Sequence, residues 1–257
     1  MALLEVRDLV VRFGGVTAVD HVTIAVEPRD FVAIIGPNGA GKTTLFNVIA
    51  GAQRPTAGEV RFRGRSTRRL GATRMSHLGV ARTFQVARPF GSLTVRENVR
   101  LGAAGERVLA TPRTLGRRRG VDDARVDAAL ELVGLESLAD APASTLTVGA
   151  LRRLELGRAL VGRPSLLLLD EPAAGIGADG FRPLATVIRR ARDWGVTVLL
   201  VEHHVGFALS LCERAIVLDA GRVIADGTPA AIRTDPAVID AYLGRGRNRP
   251  GPAEVSP

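Results

Sequence analysis

The chain is poor in several residue types, and each shortage excludes a class of protein. Its 257 residues include one cysteine, Cys212, which excludes an internal disulfide and any zinc site built from cysteines. With four histidines and no cysteine cluster, we also expect no metal site built from histidine. No apolar run has the roughly 20 residues of a membrane-spanning helix, and the N-terminus lacks the pattern of a signal peptide. We therefore expect a cytoplasmic protein of one or two domains.

Lysine occurs once, at Lys42, although lysine and arginine together number 35. That lysine lies in residues 36–43, which read G-x-x-x-x-G-K-T, the pattern of a phosphate-binding loop. The apolar run before it, residues 31–35, predicts a buried strand, and residues 43–50 predict a helix that Gly51 ends. This strand–loop–helix context favours the motif over a glycine-rich turn that matches by chance.

The chemistry of the loop follows from its residue types. Glycines let successive backbone N–H groups point at phosphate oxygens, and the helix N-terminus adds a partial positive charge. Lys42 can reach the β- and γ-phosphates, and the Thr43 hydroxyl can bind Mg²⁺. The residues predicted to bind nucleotide here are Gly36, Pro37, Asn38, Gly39, Ala40, Gly41, Lys42, Thr43 and Thr44.

The formal net charge of +9 raises the question of a nucleic-acid or membrane surface. Six arginines fall in residues 61–74 and four in residues 113–119. Neither cluster carries the series of aromatic residues that a single-strand stacking platform needs, so we expect no nucleic-acid partner. A solvated arginine-rich face and a surface resting near anionic headgroups remain as interpretations.

Two further segments place acidic and basic groups at strand ends. Four leucines at 166–169 predict a strand buried on both faces, and Asp170 and Glu171 follow at its carboxyl end. Asp170 can hold Mg²⁺ directly or through water, and Glu171 can act as a general base on water. The strand predicted at 196–201 ends near His203, which can contact a γ-phosphate or the attacking water.

Two other residues have weaker signals. Phe13 lies between two strands of a predicted hairpin, residues 3–12 and 21–26, where an aromatic ring can stack on a purine or simply fill the core. Gln85 ends the strand predicted from Gly79, where an amide can reach Mg²⁺ or water. Further segments predict helices near 93–101, 126–135, 149–161 and 180–193, a hairpin at 215–226, a last helix after Thr228, an exposed loop at 104–120 and a disordered tail at 245–257.

Taken in order, these landmarks resemble an ABC-type ATPase over about residues 3–244, and more narrowly the ATP-binding subunit of a branched-chain amino-acid importer. The resemblance implies an α/β fold, a P-loop NTPase of ABC type with a mixed core sheet, an antiparallel β subdomain and a helical subdomain inserted at about 88–163. It implies a single ATPase domain over residues 1–244. The segments that carry it are residues 81–85, 93–99, 170–175, 201–203, 221–229 and 241–244.

The resemblance also implies roles and partners. Phe13 would stack on adenine, Gln85 would bind Mg²⁺ and signal to the membrane subunits, Glu171 would be the catalytic base, and His203 would contact the γ-phosphate. The implied cofactors are ATP and Mg²⁺. The implied partners are membrane permease subunits, a second cassette in a homo- or heterodimer and, indirectly, a solute-binding protein. The cassette would lie peripherally on the inner face of the cell membrane.

In the family, a signature segment acts on the nucleotide bound to the opposite cassette. Usually Leu-Ser-x-Gly-Gln, it is matched here by residues 146–150, in which Thr147 and Gly149 keep the hydroxyl and the close backbone approach. Ala150 replaces the amide, so we expect an active but slow ATPase. A regulatory cassette with weak hydrolysis and a non-transport ABC ATPase are the alternatives.

Overall fold

The computed structural model of the protein describes residues 1–83, 89–103 and 123–243; Gln85, the whole of the predicted 104–120 loop and the predicted tail lie outside them. The strands, in chain order, are β1 Leu4–Phe13, β2 Val16–Val26, β3 Phe31–Ile35, β4 Ala57–Phe62, β5 Arg65–Ser66, β6 Val80–Arg82, β7 Leu166–Asp170, β8 Thr197–Val201, β9 Arg214–Asp219 and β10 Arg222–Gly227. The helices are α1 Lys42–Ile49, α2 Ala72–His77, α3 Val95–Gly102, α4 Asp123–Val133, α5 Val148–Leu160, α6 Ala178–Asp193, α7 Val205–Leu211, α8 Pro229–Thr234 and α9 Pro236–Leu243.

The central sheet has the order β10-β9-β3-β8-β7-β6. Strands β9, β3, β8, β7 and β6 are parallel to their neighbours, and β10 joins β9 as an antiparallel hairpin. The predicted mixed core sheet is therefore confirmed. A second sheet, in the order β2-β1-β4-β5, is antiparallel throughout, as predicted.

Two hydrophobic cores cover the two faces of the central sheet. Because side chains alternate along a strand, β3 sends Phe31 and Ile35 into the core beneath helices α3 to α7 and sends Val32 and Ile34 into the core shared with α1 and the antiparallel sheet. Every residue of β3 and β7 is buried, as expected for parallel strands covered on both sides.

Helices α3, α4 and α5 lie in the chain between β6 and β7 and pack against one another. Gly157 of α5 lies where an added Cβ would meet methyl groups of Val99 and Val133 at 3.3 Å, so α5 approaches both other helices closely. A capping box starts α3, in which the Thr94 hydroxyl accepts the Glu97 N–H at 3.2 Å and the Glu97 carboxylate accepts the Thr94 N–H at 2.8 Å. These hydrogen bonds lower the pKa of Glu97.

The structure corrects some predicted boundaries. Strand β2 begins at Val16, five residues before the predicted start, because irregular pairing with β1 hides its alternation. The helix after Thr228 is not the last one: α8 ends at Thr234, and Pro236 begins α9 with the Asp235 carboxylate accepting N–H groups of its first turn. Among the described helices, none combines the length and the apolar character that crossing a membrane requires.

Candidate active site

The predicted site residues meet at the carboxyl ends of three neighbouring parallel strands. The phosphate loop follows β3, His203 follows β8, and Asp170 and Glu171 lie at the end of β7. Since β8 lies between β3 and β7, these three groups face one another along one edge of the central sheet. Open α/β sheets bind their ligands at this edge.

Close contacts to neighbouring backbone fix the path of the loop. A Cβ at Gly36 would lie 2.0 Å from the carbonyl oxygen of Leu218, and one at Gly41 would lie 2.2 Å from that of Ala18. Gly41 has φ of 97° and precedes α1, whose first turn contains no acidic residue. The loop therefore presents a helix N-terminus, with its unpaired N–H groups and positive partial charge, to an anion.

Lys42 lies folded back over this loop. Its Nζ donates to the carbonyl oxygens of Gly36 at 2.6 Å and Pro37 at 3.0 Å, and the residue is 5% exposed. Thr43 beside it is exposed on the first turn of α1, and so are Asn38 and Gly39 in the loop. An ammonium group held among backbone dipoles in this way fits a phosphate-binding site.

Asp170 is paired with an arginine that the sequence did not single out. Arg82, at the end of β6, donates from Nη2 to Asp170 Oδ2 at 2.7 Å and from Nη1 to Asn47 Oδ1 of α1 at 2.8 Å. A carboxylate has about four acceptor positions, so this ion pair leaves room for a water bound to a metal ion.

Glu171 and His203 are in direct contact. His203 Nε2 lies 2.5 Å from Glu171 Oε1, and the Glu171 side chain is 10% exposed against 45% for His203. Glu171 also has a left-handed backbone with φ of 48°, a conformation that costs energy for a residue with a side chain and that clusters at functional sites. The arrangement holds a buried carboxylate at the strand edge with a titratable ring on its exposed side.

Glu202 forms hydrogen bonds with both of the loops that carry Glu171 and His203. Its carboxylate is 1% exposed and accepts N–H groups from Ala173 at 2.8 Å, His203 at 3.0 Å and His204 at 3.3 Å. The residues after β7 and after β8 therefore share one buried anion. Burial of a carboxylate requires such hydrogen bonds, because an unpaired buried charge is strongly destabilising.

The antiparallel sheet reaches the loop through the turn between β9 and β10. Gly221 donates its N–H to the carbonyl of Ala40 at 3.1 Å and accepts the N–H of Asp20 at 2.9 Å. Phe13, at the end of β1 in the same sheet, is 53% exposed. Its ring is therefore available to a ligand and does not fill the core.

Comparison with known proteins identifies the family. A family model described as ABC transporter matches residues 19–174, and a second, described as branched-chain amino acid ATP-binding cassette transporter, matches residues 222–247. The chain belongs to the ABC transporter ATP-binding family. It is a nucleotide-binding ATPase of that family, and the predicted P-loop fold of ABC type is confirmed.

Relatives cover nearly the whole cassette. The high-affinity branched-chain amino acid transport ATP-binding protein BraF of Pseudomonas aeruginosa is 42% identical, with 94% of this chain and 98% of BraF covered. LivG of Escherichia coli, with a name of the same form, is 40% identical with the same coverage. Among solved structures, the ADP conformation of MJ1267, an ATP-binding cassette of an ABC transporter, matches with a TM-score of 0.83 and 31% identity, covering 95% of this chain and 99% of MJ1267.

The residues predicted to form the signature segment lie at the start of α5. Thr147 caps α5, with its hydroxyl accepting the Ala150 N–H at 3.3 Å, while Gly149 has nothing within 4 Å of an added Cβ. This end of α5 borders a cleft that Gly175 and Gly177 also line, and no phosphate-loop residue is among the described lining residues. Ala150 itself is 5% exposed and belongs to the core.

Sequence reasoning missed Arg82 and Glu202 as members of the site, and Gln85 lies outside the described residues. Each missed residue had a signal: an arginine inside a predicted strand, and an acid directly after an apolar strand beside His203. Neither signal identifies the group that the side chain contacts, because these contacts depend on which strands are neighbours in the sheet.

Proposed function

We propose that the cassette hydrolyses ATP as the energy-supplying subunit of an importer for branched-chain amino acids or similar small solutes. The names of BraF and LivG, their coverage of nearly the whole chain and the match over residues 222–247 support this substrate class. Permease subunits would then be the membrane partners, and a solute-binding protein would act only through them. The cassette would associate peripherally with the inner face of the cell membrane.

Residue roles follow from the chemistry at the sheet edge. The loop N–H groups and Lys42 would bind the phosphates, and Phe13 would stack on the adenine. Thr43 and Asp170 offer the oxygen ligands that Mg²⁺ prefers, and Gln85 would complete that set. The chemistry that a Mg²⁺ ion held by these residues would supply is positive charge against the charge developing on the phosphate oxygens.

The contact between Glu171 and His203 beside the phosphate loop carries this proposal. Glu171 can take a proton from water as a general base, and His203, the more exposed partner, can hold the γ-phosphate or the water in line. Glu202 would keep the two groups at this distance by fixing the backbone of both loops.

Dimerisation would complete the site. Thr147 and Gly149 lie at the start of α5, on a cleft whose described lining includes no phosphate-loop residue. A second cassette, identical or related, would bring its signature segment to the γ-phosphate. ATP would then hold the dimer closed, and hydrolysis would release it, moving the membrane subunits between two states.

Membrane subunits would dock beside α3. Phe90, just before this helix, is 51% exposed, and the Arg158 guanidinium lies 5.4 Å from its ring centroid. A cleft of about 400 Å³ opens next to them, with Arg82 and Arg158 in its lining. An apolar residue at an arginine-lined cleft suits a short amphipathic segment of a partner.

Hydrolysis by Glu171 is tested by separating binding from chemistry. Glu171→Gln is expected to lower kcat by about 10²- to 10⁴-fold while ATP binding persists, so an ATP-bound dimer accumulates and its doubled mass appears in light scattering. Lys42→Ala, in contrast, is expected to weaken MgATP binding by about 10- to 100-fold in calorimetry, because it removes a charged donor. Full activity of Glu171→Gln would refute the assignment of the base.

A further inference from the structure

A buried arginine, Arg152, connects helix α5 to the loop after β7. Its Nη2 donates to the carbonyl oxygen of Ala174 at 3.0 Å, and the residue is 9% exposed. Its Nη1 lies 3.5 Å from Oε2 of Glu155, three residues further along α5, which supplies a counter-charge. A guanidinium removed from water needs such partners, because an unpaired buried charge is strongly destabilising.

Ala174 closes a turn that begins at Glu171. The Ala174 N–H donates to the carbonyl oxygen of Glu171 at 3.0 Å, so residues 171–174 form a four-residue turn. Pro172, the second residue of this turn, has the fixed φ that such turns favour at that position. The Glu171 N–H donates to the carbonyl oxygen of Val201 in β8 at 2.9 Å. The two peptide groups of Glu171 are therefore held by β8 and by Ala174.

Glu171 depends on this support because its own backbone conformation is unfavourable. Its φ of 48° persists only where the surrounding structure imposes it. A shift of the turn would move the Glu171 carboxylate relative to His203, which it now contacts at 2.5 Å, and a misplacement of about 1 Å can cost about 10²-fold in rate. By holding the last residue of the turn, Arg152 opposes such a shift.

We propose that Arg152 is a positioning residue for the general base: its bond to Ala174 holds the 171–174 turn in the conformation that places the Glu171 carboxylate. Thr147 and Gly149 lie at the start of the same helix. The segment that would meet the nucleotide of a second cassette is thereby connected to the base of its own site. This inference rests on the proposed role of Glu171 in ATP hydrolysis.

The first test is Arg152→Met, which keeps much of the length and apolar bulk of the side chain and removes its donors. We expect kcat for ATP to fall about 10- to 100-fold, as for the loss of one hydrogen bond from a charged donor. Kd for MgADP is expected to stay nearly unchanged, because the phosphate loop is untouched. Arg152→Lys retains a charged donor and is expected to recover a large part of kcat. Wild-type kcat in Arg152→Met would overturn the proposal.

The matched control is Arg125→Met. The Arg125 Nη2 also donates to a backbone carbonyl at 3.0 Å, that of Val161 at the other end of α5, so we expect this variant to keep wild-type kcat. If Arg152→Met does not fold, Arg152→Met combined with Glu155→Gln takes its place, because it leaves no unpaired buried charge. The same fall in kcat is expected of this double variant, and wild-type kcat in it would equally overturn the proposal.

A double-mutant cycle separates positioning of the base from a general loss of structure. Adding Arg152→Met to Glu171→Gln is expected to lower kcat by less than about twofold further, because no base remains to be positioned. A further fall as large as that in the wild-type background would overturn the positioning role and leave Glu171 as the base. A Glu171→Gln variant with wild-type kcat would instead overturn the base itself, and this proposal with it.

Discussion

Arg82 Nη2 lies 2.7 Å from Asp170 Oδ2, an ion pair between the ends of neighbouring strands β6 and β7 with side chains only 15% and 7% exposed. The Asp170 carboxylate is therefore already paired with the positive charge of Arg82. Removing that cation would leave a buried carboxylate without its partner, which is costlier than removing both.

Arg82→Met is therefore expected to lower the free energy of unfolding by about 3–5 kcal/mol in a denaturant titration. Adding Asp170→Asn to Arg82→Met is expected to recover part of this loss, because no unpaired charge remains. The control is Arg192→Met, whose partner Glu213 is 55% exposed, with an expected loss of at most about 1 kcal/mol. Equal losses in the two single variants would show that the Arg82 pair does not stabilise the site.

Glu202 gives a second prediction, since one carboxylate accepts three backbone N–H groups. In Glu202→Gln the side-chain NH₂ faces at least one of these backbone N–H groups, so one hydrogen bond is lost. We therefore expect a loss of about 1.5–3 kcal/mol in unfolding free energy. Hydrolysis is expected to fall as well, because the loops of Glu171 and His203 lose their common anchor. Glu213→Gln, on the surface, is the control, and wild-type stability in Glu202→Gln would contradict this account.

Docking to the membrane subunits is tested at Phe90. In the assembled transporter, Phe90→Cys carrying a thiol cross-linker is expected to attach to a membrane subunit, whereas Val16→Cys, 67% exposed on the antiparallel sheet, is not. The native thiol does not compete: burial raises the pKa of Cys212 to about 11, so only about one molecule in a thousand is thiolate at pH 8. Cross-links from Val16→Cys but not from Phe90→Cys would place the docking surface elsewhere.

The altered signature is tested at Ala150. A glutamine there can extend its amide into the cleft beside Gly175, and we expect ATP-driven dimerisation of the purified cassette to strengthen several-fold, as for one added hydrogen bond. Because Ala150 is 5% exposed, any larger side chain also risks crowding the core. Ala150→Leu adds similar bulk without an amide and is the control. If both variants change dimerisation equally, the missing amide has no role.

The sequence correctly predicted those parts of the molecule that are specified by residues close together in the chain. The glycine pattern around Lys42 and the leucine run before Asp170 specify a loop and a buried strand by themselves, and both lie where they were predicted. The partner of Asp170 could not be predicted, because Arg82 is 88 residues away and meets it only when β6 pairs with β7.

The glycines of the phosphate loop serve two different purposes. Gly36 and Gly41 leave no space for a side chain, because the backbones of Leu218 and Ala18 occupy it, whereas Gly39 has nothing within 4 Å of an added Cβ. An inactive alanine variant at Gly36 or Gly41 would thus report a misassembled sheet, and one at Gly39 would report altered loop conformation. A genetic screen that scores only growth on the transported solute would place the three alanine variants in one class. Only the Gly39 variant, however, would give information about ligand binding, because the other two disturb the packing of the loop against its neighbours.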